Sequence, residues 1–112
     1  MLSEPTSSVA VSAQANLGLA FGVVYGVTYQ RRLTVAVIHL ANTTNADLTV
    51  RVSIYPDGGT PTNANALLWD FIVPKYDFLE FGEGLILLSK WSLAALASAG
   101  NSVTLTLSGI EQ

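Results

Sequence analysis

A chain of 112 residues has room for one domain, and no break in composition divides it into two. Half of its residues are hydrophobic and only 12% are charged, so it can bury a core but has little charge to cover it, which favours association with copies of itself or with a larger partner. A net charge of −3 with five basic residues, only Arg31 and Arg32 adjacent, excludes the cationic face that nucleic-acid phosphates need. The absence of cysteine excludes disulfides, thiolate nucleophiles, iron–sulfur clusters and Cys-type zinc sites.

Residues 1–16 are small, polar and rich in Ser and Thr, which predicts an N-terminal arm preceding a sandwich domain over 17–112. The opening "MLSEPTSSVAVSAQ" lacks the basic segment of a secretory signal, so export by that route is not expected. The apolar stretch "LGLAFGVVYGV" has about half of the roughly 20 residues a spanning helix requires. It is also interrupted by Gly18, Gly22 and Gly26, so no membrane helix is expected there.

From Gly22 onward the pattern is that of β-structure. "RRLTVAVIHLA" carries apolar residues at both parities, as a strand covered on both faces would. "TVRVSIY" alternates: Leu48, Val50, Val52 and Ile54 oppose Thr49, Arg51, Ser53 and Tyr55. In "LLWDFIV", Asp70 shares a face with Leu68 and Ile72, opposite Leu67, Trp69, Phe71 and Val73. "SKWSLAALASAG" is helix-forming by propensity, but Trp91, Leu93, Ala95 and Ala97 share one strand face, and tertiary context predicts a strand. "SVTLTLSGI" closes the chain with Val103, Leu105 and Leu107 against Thr104, Thr106 and Ser108. Turn signals at "NTTNAD", "PDGGTPTNAN", "PKYD", "GEG" and "AGNS" separate these runs. Short strands at such spacing predict an all-β fold, a single antiparallel β-sandwich.

Asp70, Asp77, Glu80 and Glu83 fall within "LLWDFIVPKYDFLEFGEGLILL", the longest bulky apolar run. Two are turn residues and two project from strand faces, and no D-x-[DN]-x-[DN]-G spacing gathers them, so they read as strand-edge and turn residues rather than a metal or acid/base site. His39, the only histidine, lies in an apolar strand without a nearby Ser–Asp partnership, which predicts a packed or interface histidine satisfied by a neighbour. The sequon at Asn42 carries little weight without a secretory signal. Tyr25, Tyr29, Tyr55, Tyr76, Trp69 and Trp91 could form a sugar-binding face, but such residues more often fill cores and interfaces. No catalytic, cofactor-binding or metal-ligating set is assigned.

The strings "IHLANTTNADLTVRVSIYPDGG", "NANALLWDFIVPKYDFLEFGEGLILL" and "LAALASAGNSVTLTLSGIE" together resemble a family of short β-sandwich proteins encoded by tailed bacteriophages. The family order is an I-H-x-A-N-T strand and turn, a P-x-G-G turn, an A-L-L strand, an I-P-x-x-D turn, an E-F-x-x-G-L-x-L hairpin, then A-L-A-S-A and V-x-L-x-x-S-G-x-E. The likeness runs over residues 37–111, and departs from the family where "VTYQRR" replaces a V-P-x-G-K turn. It implies a jelly-roll-like virion structural protein, assembled in the host cytoplasm without cofactor or enzymatic activity. The role expected on that basis is to decorate or cement the capsid as a small homo-oligomer, for which a trimer at a local symmetry axis is one arrangement, against the major capsid protein or tail proteins. Two competing readings are a tail or fibre module that binds host glycan through Tyr55, Trp69 and the "PDGGTPTNAN" loop, and a small sugar hydrolase using Asp77, Glu80 or Glu83.

Overall fold

The computed structural model describes residues 8–112. Its strands are β1 (Val9–Asn16), β2 (Gly22–Gly26), β3 (Leu33–Asn42), β4 (Leu48–Tyr55), β5 (Ala66–Val73), β6 (Phe78–Phe81), β7 (Ile86–Leu87), β8 (Ser92–Ala97) and β9 (Val103–Glu111), with one 3-10 turn at Asn63–Asn65. All pairings are antiparallel. One sheet runs β1-β9-β3-β6 with β7 also on β3, the other β2-β8-β4-β5, and the two pack as a β-sandwich. β6 and β7 act as one edge strand in two pieces, since both lie along β3 and are separated by the turn at Gly82, Glu83 and Gly84.

The core lies between the sheets, with Leu33, Ile38, Leu40, Leu105 and Leu107 from one packed on Val50, Val52 and Leu93 from the other, all fully buried. β8 is a central strand, with Leu93, Ala95 and Ala97 buried. Its small residues satisfy helical propensity in isolation, but pairing on both sides to β2 and β4 decides the outcome.

β3 has a different cause for its two-parity pattern than coverage on both faces. Its register with β9 slips between Val35 and Val37, and the buried set changes from Leu33 and Val35 to Ile38, Leu40 and Asn42. A bulge adds one residue, so the same face is read first from odd and then from even positions. The opposite face, with Val37, His39 and Ala41, stays half-exposed.

The predicted arm also resolves differently. Residues 1–7 lie outside the described residues, while Val9–Asn16 is paired residue for residue with β9, from Val9 opposite Glu111 to Asn16 opposite Thr104. Val11 and Ala13 pack on the core, so this segment belongs to the sandwich. An edge strand needs only one modestly apolar face, and alternating Val and Ala supply it without the bulky residues that usually announce a strand.

Asn42, at the end of β3, is 1% exposed and ties the two sheets together. Its Nδ2 donates to the carbonyls of Ala46 (2.8 Å), Val73 (3.0 Å) and Pro74 (3.2 Å), and its Oδ1 accepts from the Thr44 amide and hydroxyl (3.0 and 2.7 Å). The sequon nitrogen is thus consumed inside the fold, and a glycan on it is incompatible with this structure.

Candidate functional site

The four acids of the long apolar run are dispersed. At Asp70 the register of β5 against β4 jumps, with Val50 opposite Phe71 but Val52 opposite Leu68, so Trp69 and Asp70 together face Arg51. Asp70 takes the left-handed conformation (φ 54°) that this bulge requires, which also breaks the simple alternation expected of the strand. The Arg51 guanidinium grips the carboxylate at both oxygens, Nε to Oδ1 at 2.7 Å and Nη2 to Oδ2 at 3.0 Å. It also lies 4.1 Å from the centroid of the Trp69 ring, which in turn contacts Phe21 at 6.0 Å. The hydrogen bonds from Arg51 hold Asp70 below the usual carboxylate range, so it is a charge-neutralised acceptor and not a proton donor.

Glu80 pairs across the strands with His39: the two are register partners, with Nδ1 and Oε2 3.0 Å apart. The imidazole stacks on Phe78 at 5.1 Å and 18°. The neighbour that satisfies the only histidine is therefore one of these acids. Asp77 closes its own turn, its Oδ1 accepting the Phe78 amide at 2.8 Å and its carbonyl accepting the Asn42 amide at 2.9 Å. Glu83 is exposed between two glycines of positive φ. Among the described residues no three His, Asp or Glu side chains come together as a metal site. No helix of the described residues is long and apolar enough to cross a membrane, and residues 22–26 of the apolar stretch form β2.

The aromatic residues do not share one face. Tyr25 and Trp91 pack against the core. Tyr29 is two-thirds exposed beside Lys90, whose ammonium is 5.9 Å from its ring and 3.4 Å from Asp57. Trp69, Phe71, Ile72, Tyr76 and Phe78 remain substantially exposed within ten residues of chain, down β5, around the turn and into β6. These residues lie on β5 and β6, each at the edge of its own sheet, and on the turn between them. Beside Tyr76 and Phe78, an open depression of about 290 Å³ is lined also by His39, Ala41, Asn42, Thr43 and Asp77. The sequence offered the components of this strip, but only the register brings Arg51 onto Asp70 and Trp69, and His39 onto Glu80 and Phe78.

A second polar cluster pins the far end of the sandwich. Glu111 of β9 is 5% exposed and accepts a hydrogen bond from the Tyr25 hydroxyl of β2. Burial raises the Glu111 pKa, but the hydrogen bonds from Tyr25 and from the Thr28 hydroxyl and amide, with the Arg31 charge, outweigh it and leave the carboxyl below its usual value. Burial, the hydrogen bond and the Glu111 charge push Tyr25 up to about 12. A depressed carboxyl stabilises the fold above its unfolded pKa and loses that contribution as pH falls through the folded value. The raised tyrosine contributes fully below about 10 and loses it toward about 12. Glu111→Gln is therefore expected to melt below the wild type at pH 7, with the two melting curves converging as pH drops below 4; parallel curves would remove Glu111 from the acid response.

No protein-family model matches the chain, and neither does any curated protein or solved structure.

Proposed function

We propose that this protein is a non-enzymatic structural component of a bacteriophage virion, which decorates or cements the capsid as a small homo-oligomer. The observation that carries the reading is the exposed apolar strip of Trp69, Phe71, Ile72, Tyr76 and Phe78 along the β5–β6 side. Bulky apolar side chains left exposed so close together in the chain suit a segment that another protein covers. The low charge of the chain and the internal use of Asp70, Asp77 and Glu80 agree with a role in packing rather than in proton transfer. On this reading the order β1-β9-β3-β6/β7 over β2-β8-β4-β5, eight strands when β6 and β7 are counted as one, is taken as a jelly roll, an architecture used in viral capsid proteins and in lectins. On this reading the partner is the major capsid protein or another virion protein.

Light scattering on the purified protein, with and without empty particles of its source, tests the proposal. The expected result is a small oligomer that transfers onto particles and loses at least tenfold in affinity when Ile72 and Phe78 are both changed to Ser. A protein that ignores particles would overturn it. The depression beside His39, lined also by Phe78, Asp77 and Thr43, favours a tail or fibre module that binds host glycan as the second reading. That reading requires binding to host envelopes that Tyr76→Ala weakens.

A further inference from the structure

The two sheets present four edges, and three of them are built against further pairing. β2 has five residues, begins and ends in glycine and slips register between Val23 and Tyr25. β5 is bulged at Asp70, which carries charge to the edge, and stops at Pro74. The β6/β7 edge is cut by the turn at Gly82, Glu83 and Gly84 and carries Glu80. Bulges, prolines, charges and short segments are the ordinary means by which a sheet edge avoids adding strands.

β1 has none of these. Its eight residues, "VAVSAQAN", hold an unbroken register with β9 and include no glycine, proline or charged side chain. Among the described residues no strand pairs with its other side. A regular edge of this length presents a row of backbone donors and acceptors to whatever extended chain can reach them.

We propose that this edge is the self-association site: β1 of one copy pairs antiparallel with β1 of a second about a two-fold axis near Ser12, joining two sheets into one. The inference rests on the assembly reading above and specifies its symmetry as a two-fold. A strand without charge meets its own copy with no like charges opposed. With the axis at Ser12, Val11 lies opposite Ala13 and Val9 opposite Ala15, so each larger side chain meets a smaller one on the core side. Val9, now 48% exposed, is then covered. A strand contributed by a different protein would use the same hydrogen bonds, and the experiment separates it from a second copy.

Two variants test the pairing. Ser12→Lys lies on the exposed face opposite Ser108, where a lysine is accommodated in the monomer but meets its own mate across the axis. The wild type is expected to scatter as an even number of copies, and S12K to halve in mass while keeping the far-UV circular dichroism of the folded sandwich and losing the concentration dependence of its melting temperature. Because the chain has no cysteine, Ser12→Cys adds a single thiol, expected to give a disulfide-linked dimer under mild oxidation, while Asn45→Cys on the exposed β3–β4 loop does not. A monomeric or trimeric wild type, or an S12K protein of unchanged mass, would overturn the pairing. A monomer that still saturates empty particles overturns the pairing alone, and a dimer that ignores particles overturns the capsid reading alone.

Discussion

Replacing Asn42 with alanine is expected to cost about 3 kcal/mol of stability, because it strips a buried latch of both donor and acceptor and leaves the Val73 carbonyl without its side-chain partner. For a domain of this length that corresponds to a fall of about 10–20 °C in melting temperature. Asn42→Asp is the sharper test. It keeps the shape and the acceptor for Thr44 but turns a carboxylate oxygen toward three carbonyls that now receive hydrogen bonds. The variant should be less stable than Asn42→Ala at pH 7 and recover as pH falls, since a protonated carboxyl can again donate. Thermal melts of both at pH 4 and pH 7 decide it. A fall of only about 3 °C for the alanine variant would mean that the latch closes a corner without holding the sheets together.

Gly109→Ala should be about as damaging, for a steric reason. A Cβ at this position would stand 2.5 Å from the Thr34 carbonyl oxygen, 3.1 Å from Leu33 Cδ1 and 3.2 Å from Val35 Cα. Two of those atoms are backbone, so a rotamer change cannot relieve the clash. The bulge in β3 is what brings them so near, since Gly109 is the partner of Val35 where the register slips. Overpacking of this kind costs about 2–3 kcal/mol. Gly100→Ala, where a Cβ meets nothing within 4 Å, is the control and should stay within about 0.5 kcal/mol of wild type. Equal unfolding midpoints for the two variants in denaturant would show that β3 moves aside freely.

The strands that alternate with bulky residues, β9 and β4 as far as Val52, are legible because one face of each is the core and burial there follows parity. β8 was legible only by weighing its setting against its helical propensity. What remained hidden follows from register, which no single strand encodes. The bulge at Asp70 makes Trp69 and Asp70 neighbours of Arg51, and the bulge in β3 makes a one-sided strand look two-sided. Ser53 shows the same limit: assigned to the outer face by alternation, it is fully buried next to a register shift, its hydroxyl donating to the Thr62 carbonyl at 3.1 Å. β1 is not legible because an edge strand of Val, Ala, Ser and Gln has the composition of a tail. The dispersal of the four acids follows from their mixture of turn and strand positions, but the partners that occupy Asp70 and Glu80 depend on register.

The pairing of β9 between β1 and β3 has a consequence for synthesis. Among the described strands the earliest to be made, β1, is completed by β9, and Val9 waits for Glu111. At ordinary elongation rates of roughly 5–20 residues per second, that delay is on the order of 5–20 s. Throughout it both β1 and β3 lack the strand that will lie between them, so neither can be sealed by local folding. Nascent chains emerging side by side on one message would then expose the same uncharged strand at the same time. A holding chaperone, or rapid encounter with another copy, would decide whether that interval ends in assembly or in aggregation.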